Sequence, residues 1–282
     1  MTAARKKQSP TADTLRWSGW TDTGKVRKNN EDSFLGLQFD AREVHRLGKH
    51  GEASTQHTDF AFAVCDGMGG AKAGEYASRI AVEKTATLLP RSFANSARGL
   101  QSGWADVLTE LFGEVHRALV YLGGSYEECH HMQTTMSLCW FTPGWMYFGH
   151  IGDSRIYYLS ARADHLIQLT HDDTHVGWLF RQGKISAWEA RNHPRRNLLQ
   201  KALGGANQFV EPHVGAVECN SGDIFLLCSD GLNEGLFDEN IAELLRHGKS
   251  ARITAKTAHQ LVDESVKRDG RDNTTALVIQ IG

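Results

Sequence analysis

The chain has 282 residues, 40% hydrophobic and 23% charged, long enough for one large domain with a substantial core, and no internal repeat points to an array. Its net charge is −2 and its basic residues are scattered, which excludes the broad positive footprint of a protein built to hold nucleic acid or an anionic membrane. No stretch approaches the roughly 20 apolar residues of a membrane span; five cysteines, odd in number and without Cys-x-x-Cys spacing, read as reduced core residues of a soluble, cytoplasmic protein.

Residues 1–13 are small, polar and basic, which predicts a disordered tail ahead of a single domain over 14–282. Leu15 to Thr21 and Ser33 to Leu37 read as strands, and the hydrophilic connection 38–57 as a surface excursion. After a strand from Asp59 to Cys65, Gly67, Gly69 and Gly70 turn the chain into a helix. Its repeating face carries Tyr76, Ala77, Ile80, Ala81, Lys84 and Leu88, and Pro90 is expected to stop it. A second helix is predicted from Trp104 to Leu122, apolar at i, i+3 and i+4 through Leu108, Leu111, Phe112, Val115 and Leu119, and closed by Gly123-Gly124.

Strands then return as a meander: Met132 to Phe141, Trp145 to Ile151, Arg155 to Leu159 and His165 to Leu169, with Pro143-Gly144 as a hairpin turn. Short helical pieces follow over 174–203, one of them opened by Ser186 with Glu189 at capping-box spacing, and the stretch reads as a flap. Strands from Phe209 to Glu218 and Asp223 to Cys228, helices starting near Asp238 and Ser250, and a strand from Thr274 to Ile281 complete the chain. Paired helices between blocks of strands predict an α+β layered sandwich, with antiparallel sheets inside and helices outside.

Four acids stand where apolar runs meet glycine or asparagine: Asp66 before Gly67, Asp153 after Gly152, Asp230 before Gly231, and Asp272 before Asn273. Singly, each is an ordinary turn former. Jointly they can converge on one rim of a sheet core, where like charges require a cation, and without a Cys or His cluster they suit Mg²⁺ or Mn²⁺ better than Zn²⁺. Glu31 and Asp32 add two acids, four and five residues after Arg27. A carboxylate set beside a guanidinium fits a phosphate ester, and makes phosphoryl hydrolysis the leading reaction class.

The ordered set Arg27-x-x-Asn30-Glu31-Asp32, Asp66-Gly67-Met68-Gly69-Gly70 with Gly74-Glu75, Thr134-Thr135, Gly152-Asp153-Ser154-Arg155, Ser229-Asp230-Gly231-Leu232 and Arg271-Asp272-Asn273-Thr274-Thr275 resembles the metal-dependent Ser/Thr protein phosphatases, the type 2C or PPM family, in its bacterial form. The resemblance implies a PPM-type sandwich and two Mn²⁺ or Mg²⁺ ions. Asp66 would bridge them, Asp230 and Asp272 would complete one shell, and Glu31 and the Gly67 carbonyl would serve the other. A bridging water acidified by both ions would attack phosphorus in line while Arg27 holds the phosphoryl oxygens. Asp32 would orient a bound water.

By the same resemblance, Asp153 shares a weaker third ion with Asp230, and Glu234 stands where some relatives place an acidic ligand. The bland alternatives are a surface ion pair for Arg27, a turn hydrogen bond or a pair with Arg155 for Asp153, and a solvated helix acid for Glu234. Asp172 and Asp173 read as turn or flap residues, and Cys129-His130-His131 as an exposed loop. Met68 replaces the His of some relatives and has no proton to give, and Gln133 stands where Gly often precedes Thr-Thr. Expected partners are phosphoproteins, targets of a Ser/Thr kinase, met by a monomer; a phosphoprotein-binding pseudophosphatase and a metal-dependent nuclease are the alternatives, the latter lacking a basic track.

Overall fold

The computed structural model describes residues 14–70, 72–97, 103–205, 210–246 and 252–282. Five strands come first, β1 (Thr14–Asp22), β2 (Asp32–Phe39), β3 (Val44–Arg46), β4 (His50–Ser54) and β5 (Asp59–Met68), followed by helices α1 (Ala73–Ala97) and α2 (Trp104–Ser125). A second series, β6 (Gln133–Thr134), β7 (Met136–Thr142), β8 (Trp145–Ile151), β9 (Arg155–Leu159) and β10 (Ile167–Gln168), leads to the short helices α3 (His175–Arg181) and α4 (Ala187–Asn192). Strands β11 (Leu203–Gly204), β12 (His213–Glu218) and β13 (Ile224–Cys228), helices α5 (Asp230–Gly235), α6 (Asp238–Arg246) and α7 (Thr257–Arg268), and strand β14 (Thr274–Ile281) follow.

All pairings between these strands are antiparallel. One sheet runs β10-β9-β13-β14-β1-β4; the other runs β11-β6-β5-β7-β8-β12, with β2 on β5 and β3 on β2. The period-2 alternation of β5 explains why the sheets face each other. Phe60, Phe62 and Val64 enter the core between the sheets with Phe141, Phe225 and Leu277, while Ala61, Ala63 and Cys65 pack under α1 and α2. On the far side, Leu226 and Val278 meet Leu232, Ile241 and Leu261 of α5, α6 and α7. The result is the expected α+β sandwich in four layers, helix, sheet, sheet, helix.

Several local expectations are corrected. Helix α1 continues through Pro90, because Ala77, Ala81 and Leu89 are fully buried in the helix-side core, and that packing outweighs the single backbone bond a proline removes. Its inner face holds Ala77 and Ala81 as expected, with Ile80 and Leu88 partly buried beside them, but Tyr76 and Lys84 are exposed and Ser78 and Thr85 lie inside. The connection 38–57 contains β3 and β4, and β4 pairs with β1 at the sheet edge, turning only the small residues Gly51 and Ala53 inward. Helix α2 runs through its glycines to Ser125, and α7 starts at Thr257. The tail 1–13, the strand start at Phe209 and the cap at Ser250 lie outside the described residues.

Asp59 opens β5 and accepts a hydrogen bond from Trp140 Nε1 at 2.8 Å; burial pushes its carboxyl up to about 6. The folded state therefore binds this proton more tightly than the unfolded chain, and the group's contribution to stability falls by about 3 kcal/mol as pH rises from roughly 4 to roughly 6. Asp59→Asn keeps an acceptor for the indole and removes the buried charge. Thermal denaturation at pH 7 is expected to show a melting temperature several degrees above wild type, with the gain vanishing near pH 4.

Candidate active site

The acids gather where β2, β5, β13 and β14 reach the same end of the sandwich. Asp32 opens β2 and faces Asp66 of β5 across the antiparallel ladder. Asp230 is the first residue of α5, two residues beyond β13, and Asp272 sits two residues before β14. Each apolar run holds its strand in the core, and the charged residue is the point at which the chain emerges.

Hydroxyls and one amide brace this rim. Asp32 Oδ2 accepts from Ser229 Oγ at 2.7 Å and from Thr275 Oγ1 at 2.6 Å, so one carboxylate oxygen joins the residue before Asp230 to the motif that follows Asp272. Asn273 Oδ1 accepts from the Glu31 amide at 2.8 Å, and its Nδ2 donates to the Thr23 and Asn29 carbonyls. The Gly67 amide donates to the Glu31 carbonyl at 3.2 Å. A Cβ on Gly67 would lie 2.0 Å from the Gly74 carbonyl oxygen, so only glycine fits between the Glu31 loop and α1. Thr135 Oγ1 accepts from the Asp66 amide at 3.0 Å, Thr134 Oγ1 donates to the Asp66 carbonyl at 2.8 Å, and Thr135 shares a hydroxyl bond of 2.6 Å with Ser154. These braces explain the Thr-Thr and Asp-Asn-Thr-Thr patterns, whose roles the sequence did not disclose.

Electrostatics set this rim apart. Burial, then the charges of Asp32 and Asp230, push the Asp66 carboxyl far above the usual carboxylate range; burial, then Asp153 and Asp272, do the same to Asp230. Burial lifts Asp32 to about 6 despite its two hydroxyl partners, and lifts Asp153, which also feels Asp172, to about 7. Glu31 is raised by burial as well. Arg27 is half exposed and lies 2.6 Å from Asp272 Oδ2, within the field of Glu31 and Asp66.

Among the described residues, no three His, Cys, Asp or Glu side chains stand close enough to form a finished cage. Asp272 is engaged by Arg27 and by the Asn273 amide, and Asp32 by its hydroxyls. The donor set nevertheless fits a hard divalent cation. Asp230 Oδ1 and Asp32 Oδ1 are buried without a hydrogen-bond partner, in a group of mutually repelling oxygen donors, and a cation relieves both costs.

The remaining candidates are placed as follows. Asp153 does not pair with Arg155; that guanidinium forks onto Asp172 at 2.9 and 2.7 Å. Asp173 Oδ2 accepts from the Gly152 amide at 3.1 Å, so both acids expected as turn residues secure the Asp153 turn. Glu234 is not a solvated helix acid: its Oε1 accepts from Arg196 Nη2 at 2.7 Å and Asn197 Nδ2 at 3.1 Å. His130 and His131 are exposed, and Met68 pairs with Gln133 between β5 and β6. His150, unassigned from sequence, is fully buried and faces the Gly152 and His171 carbonyls from Nε2 at 3.0 and 3.1 Å. Two carbonyl acceptors require Nε2 to carry the proton, leaving Nδ1 to accept from Ser137 Oγ at 2.9 Å.

Residues 49–269 match the family model for protein phosphatase 2C. The chain is 33% identical to the serine/threonine protein phosphatase PstP of Mycobacterium tuberculosis over 95% of this chain and 45% of that protein, so it spans about half the length of that relative. It is 31% identical to the serine/threonine phosphatase stp of Listeria innocua over 92% of this chain and 93% of that one. A crystal structure of the catalytic domain of PstP in complex with two manganese ions superposes with a TM-score of 0.72 at 30% identity, covering 95% of this chain and 99% of that one. With a family model matching most of its length, a relative 31% identical over nearly all of both chains, and the same two-sheet frame, the chain belongs to the protein phosphatase 2C family.

Proposed function

We propose that the chain is a divalent-metal-dependent protein phosphatase that hydrolyses phosphoserine and phosphothreonine in proteins, with a single catalytic domain over 14–282. The observation that carries this is the rim of acids with two orphaned buried oxygens beside a half-exposed Arg27. The serine/threonine phosphatase names of the relatives, and the two manganese ions of PstP, support it.

Asp66, Asp230 and Asp272 would hold one ion and Glu31 with the Gly67 carbonyl a second, Asp66 serving both; Asp153 with Asp230 would take a weaker third. When bound, Mn²⁺ or Mg²⁺ supplies Lewis acidity toward the phosphoryl group and a lowered pKa for water. The chain's own contribution is placement. Asp32 ties Ser229 to Thr275 and so fixes the spacing of Asp230 and Asp272, while Asn273 fixes the Glu31 loop. Arg27 is accessible to a phosphate's oxygens and carries a permanent charge for them. Among the described residues no helix is long and apolar enough to cross a membrane, and the reading includes a cytoplasmic monomer opposing a Ser/Thr kinase.

A phosphopeptide, an aryl phosphate and DNA, each assayed with Mn²⁺ and with EDTA, test this directly. Hydrolysis of the first two with Mn²⁺ alone is expected. Binding of the phosphopeptide without turnover would make the protein a pseudophosphatase, and cleavage of DNA a nuclease. Arg27→Ala is expected to raise KM for aryl phosphate roughly 10- to 100-fold, the worth of a charged hydrogen bond, while changing Mn²⁺ affinity far less; equal loss of both would misplace Arg27.

A further inference from the structure

Residues 174–203 carry Arg181, Lys184, Arg191, Arg195, Arg196 and Lys201 against one acid, Glu189, in a chain whose net charge is −2. Little of that charge is neutralised. Glu189 is occupied by the Ser186 capping box, Arg196 is paired with Glu234 at 2.7 Å, and Lys201 stands 4.0 Å from Asp173. Among the described residues, Arg181, Lys184, Arg191 and Arg195 have no carboxylate at ion-pair distance. Arg181 donates to the Asp172 carbonyl, Lys184 lies over the Trp178 ring, and Arg191 lies over the Phe237 ring. Trp178, Phe180 and Trp188 are 39%, 47% and 73% exposed between these cations.

The segment is fastened to the acidic rim. It leaves at Asp173, whose amide donates to the Gly152 carbonyl at 2.7 Å beside Asp153, and its base is closed by Gln200 donating to the Asp173 carbonyl at 2.7 Å. It returns through β11, which pairs with β6, which in turn pairs with Gly67 and Met68 of β5. A third attachment runs from Arg196 to Glu234, one turn beyond Asp230. A polypeptide whose phosphate reaches the acids therefore runs beside exposed rings and uncompensated positive charge. Excess cations favour carboxylates on that polypeptide, and exposed rings give its backbone and apolar side chains a surface.

We propose that residues 174–203 read the sequence around the phosphorylated residue, selecting phosphoproteins with acidic residues flanking the phosphoserine or phosphothreonine. This rests on the phosphatase reading above and names its substrate class. Each exposed ion pair is weak, so discrimination comes from several acids acting together and is screened by salt.

The test uses two phosphopeptides identical except for three flanking Glu or three flanking Lys, with an aryl phosphate alongside, all with Mn²⁺. The ratio of kcat/KM for the Glu peptide over the Lys peptide is expected to be roughly tenfold at low salt and to shrink as salt is added. In Lys184→Glu/Arg195→Glu the ratio is expected to collapse toward one or invert; being internal to each preparation, it does not depend on the fraction folded. A ratio near one in the wild type with aryl phosphate hydrolysed, or an unchanged ratio in the double variant, overturns the inference and leaves the phosphatase reading intact. Equal peptide rates together with sedimentation on phosphatidylserine vesicles would assign the segment to a lipid surface instead. No hydrolysis of any substrate overturns the phosphatase reading, and the inference with it.

Discussion

Asp230→Asn is expected to lower Mn²⁺-dependent hydrolysis of an aryl phosphate by on the order of a thousandfold while raising the melting temperature measured in EDTA. The two effects share one cause. Asp230 is pushed far above the usual carboxylate range by burial and by the nearby acids, and its Oδ1 has no hydrogen-bond partner. Holding a carboxylate there costs the fold desolvation and repulsion; a neutral amide of the same shape removes that cost. In the wild type, Mn²⁺ at about 100 times its Kd is expected to add about 2.7 kcal/mol through binding to the folded state only, which is about 5 °C for a chain of this size. The variant should lose most of that rise. A Mn²⁺-induced shift equal to wild type would remove Asp230 from the ligand set, whatever happened to turnover.

The acids were legible in the sequence because each marks one boundary of an apolar run, and a sheet core imposes that pattern on every strand that enters the site. Strands Trp145–Ile151, Arg155–Leu159 and Thr274–Ile281 were legible residue for residue, since their apolar runs end abruptly at turn residues or charges. Helix α5 was not, because Asp230-Gly231 reads as a turn and one turn of helix has no periodicity to detect. Strands β3 and β4 escaped for a similar reason: β3 is wholly exposed, and the inward positions of β4 are Gly51 and Ala53, too small to register as an apolar alternation. On the inner face of α1, Ala77 and Ala81 were legible, but Tyr76 and Lys84 are exposed and Ser78 and Thr85 take their place, because a helix lying close on a sheet buries small residues, polar ones included.

The braces of the site were the least visible. Ser229 and Thr275 meet Asp32 across 197 and 243 residues of chain, and no local spacing encodes such a contact. Asp172 and Asp173 looked like ordinary turn formers, yet both hold the Asp153 turn, directly or through Arg155. Glu234 was visible only as one helical turn beyond an acid, a spacing that fits a ligand and a surface residue equally well. Its partners Arg196 and Asn197 come from a segment whose place is set by tertiary packing.

Arg155→Met is expected to destabilise the protein by about 2–3 kcal/mol, the cost of leaving a largely but not fully buried carboxylate without its partner. The Arg155 fork grips both oxygens of Asp172 at 2.9 and 2.7 Å, and its third arm donates to the Tyr157 hydroxyl at 2.8 Å, which faces Asn233 Oδ1 of α5 and Asp238 Oδ1 of α6. Burial alone would raise the Asp172 carboxyl, and the guanidinium more than reverses this, holding it below its ordinary 3.8. A depressed folded pKa means stability that is present at neutral pH and lost as pH falls through the carboxylate range. The deficit of Arg155→Met should accordingly be full at pH 7 and smaller at about pH 3, as the fall in pH drives a proton onto the stranded carboxylate. Adding Asp172→Leu removes the stranded charge, so Arg155→Met/Asp172→Leu should recover more than about 1.5 kcal/mol relative to the single variant. Urea unfolding of wild type, Arg155→Met, Asp172→Leu and the double variant at both pH values measures the coupling. Arg155 also lowers the Asp153 carboxyl that Asp172 raises, so its removal leaves Asp153 above its present value of about 7 and makes any cation held there weaker at neutral pH. A single variant within 1 kcal/mol of wild type would show, against the usual cost of a stranded charge, that water replaces the guanidinium at little cost.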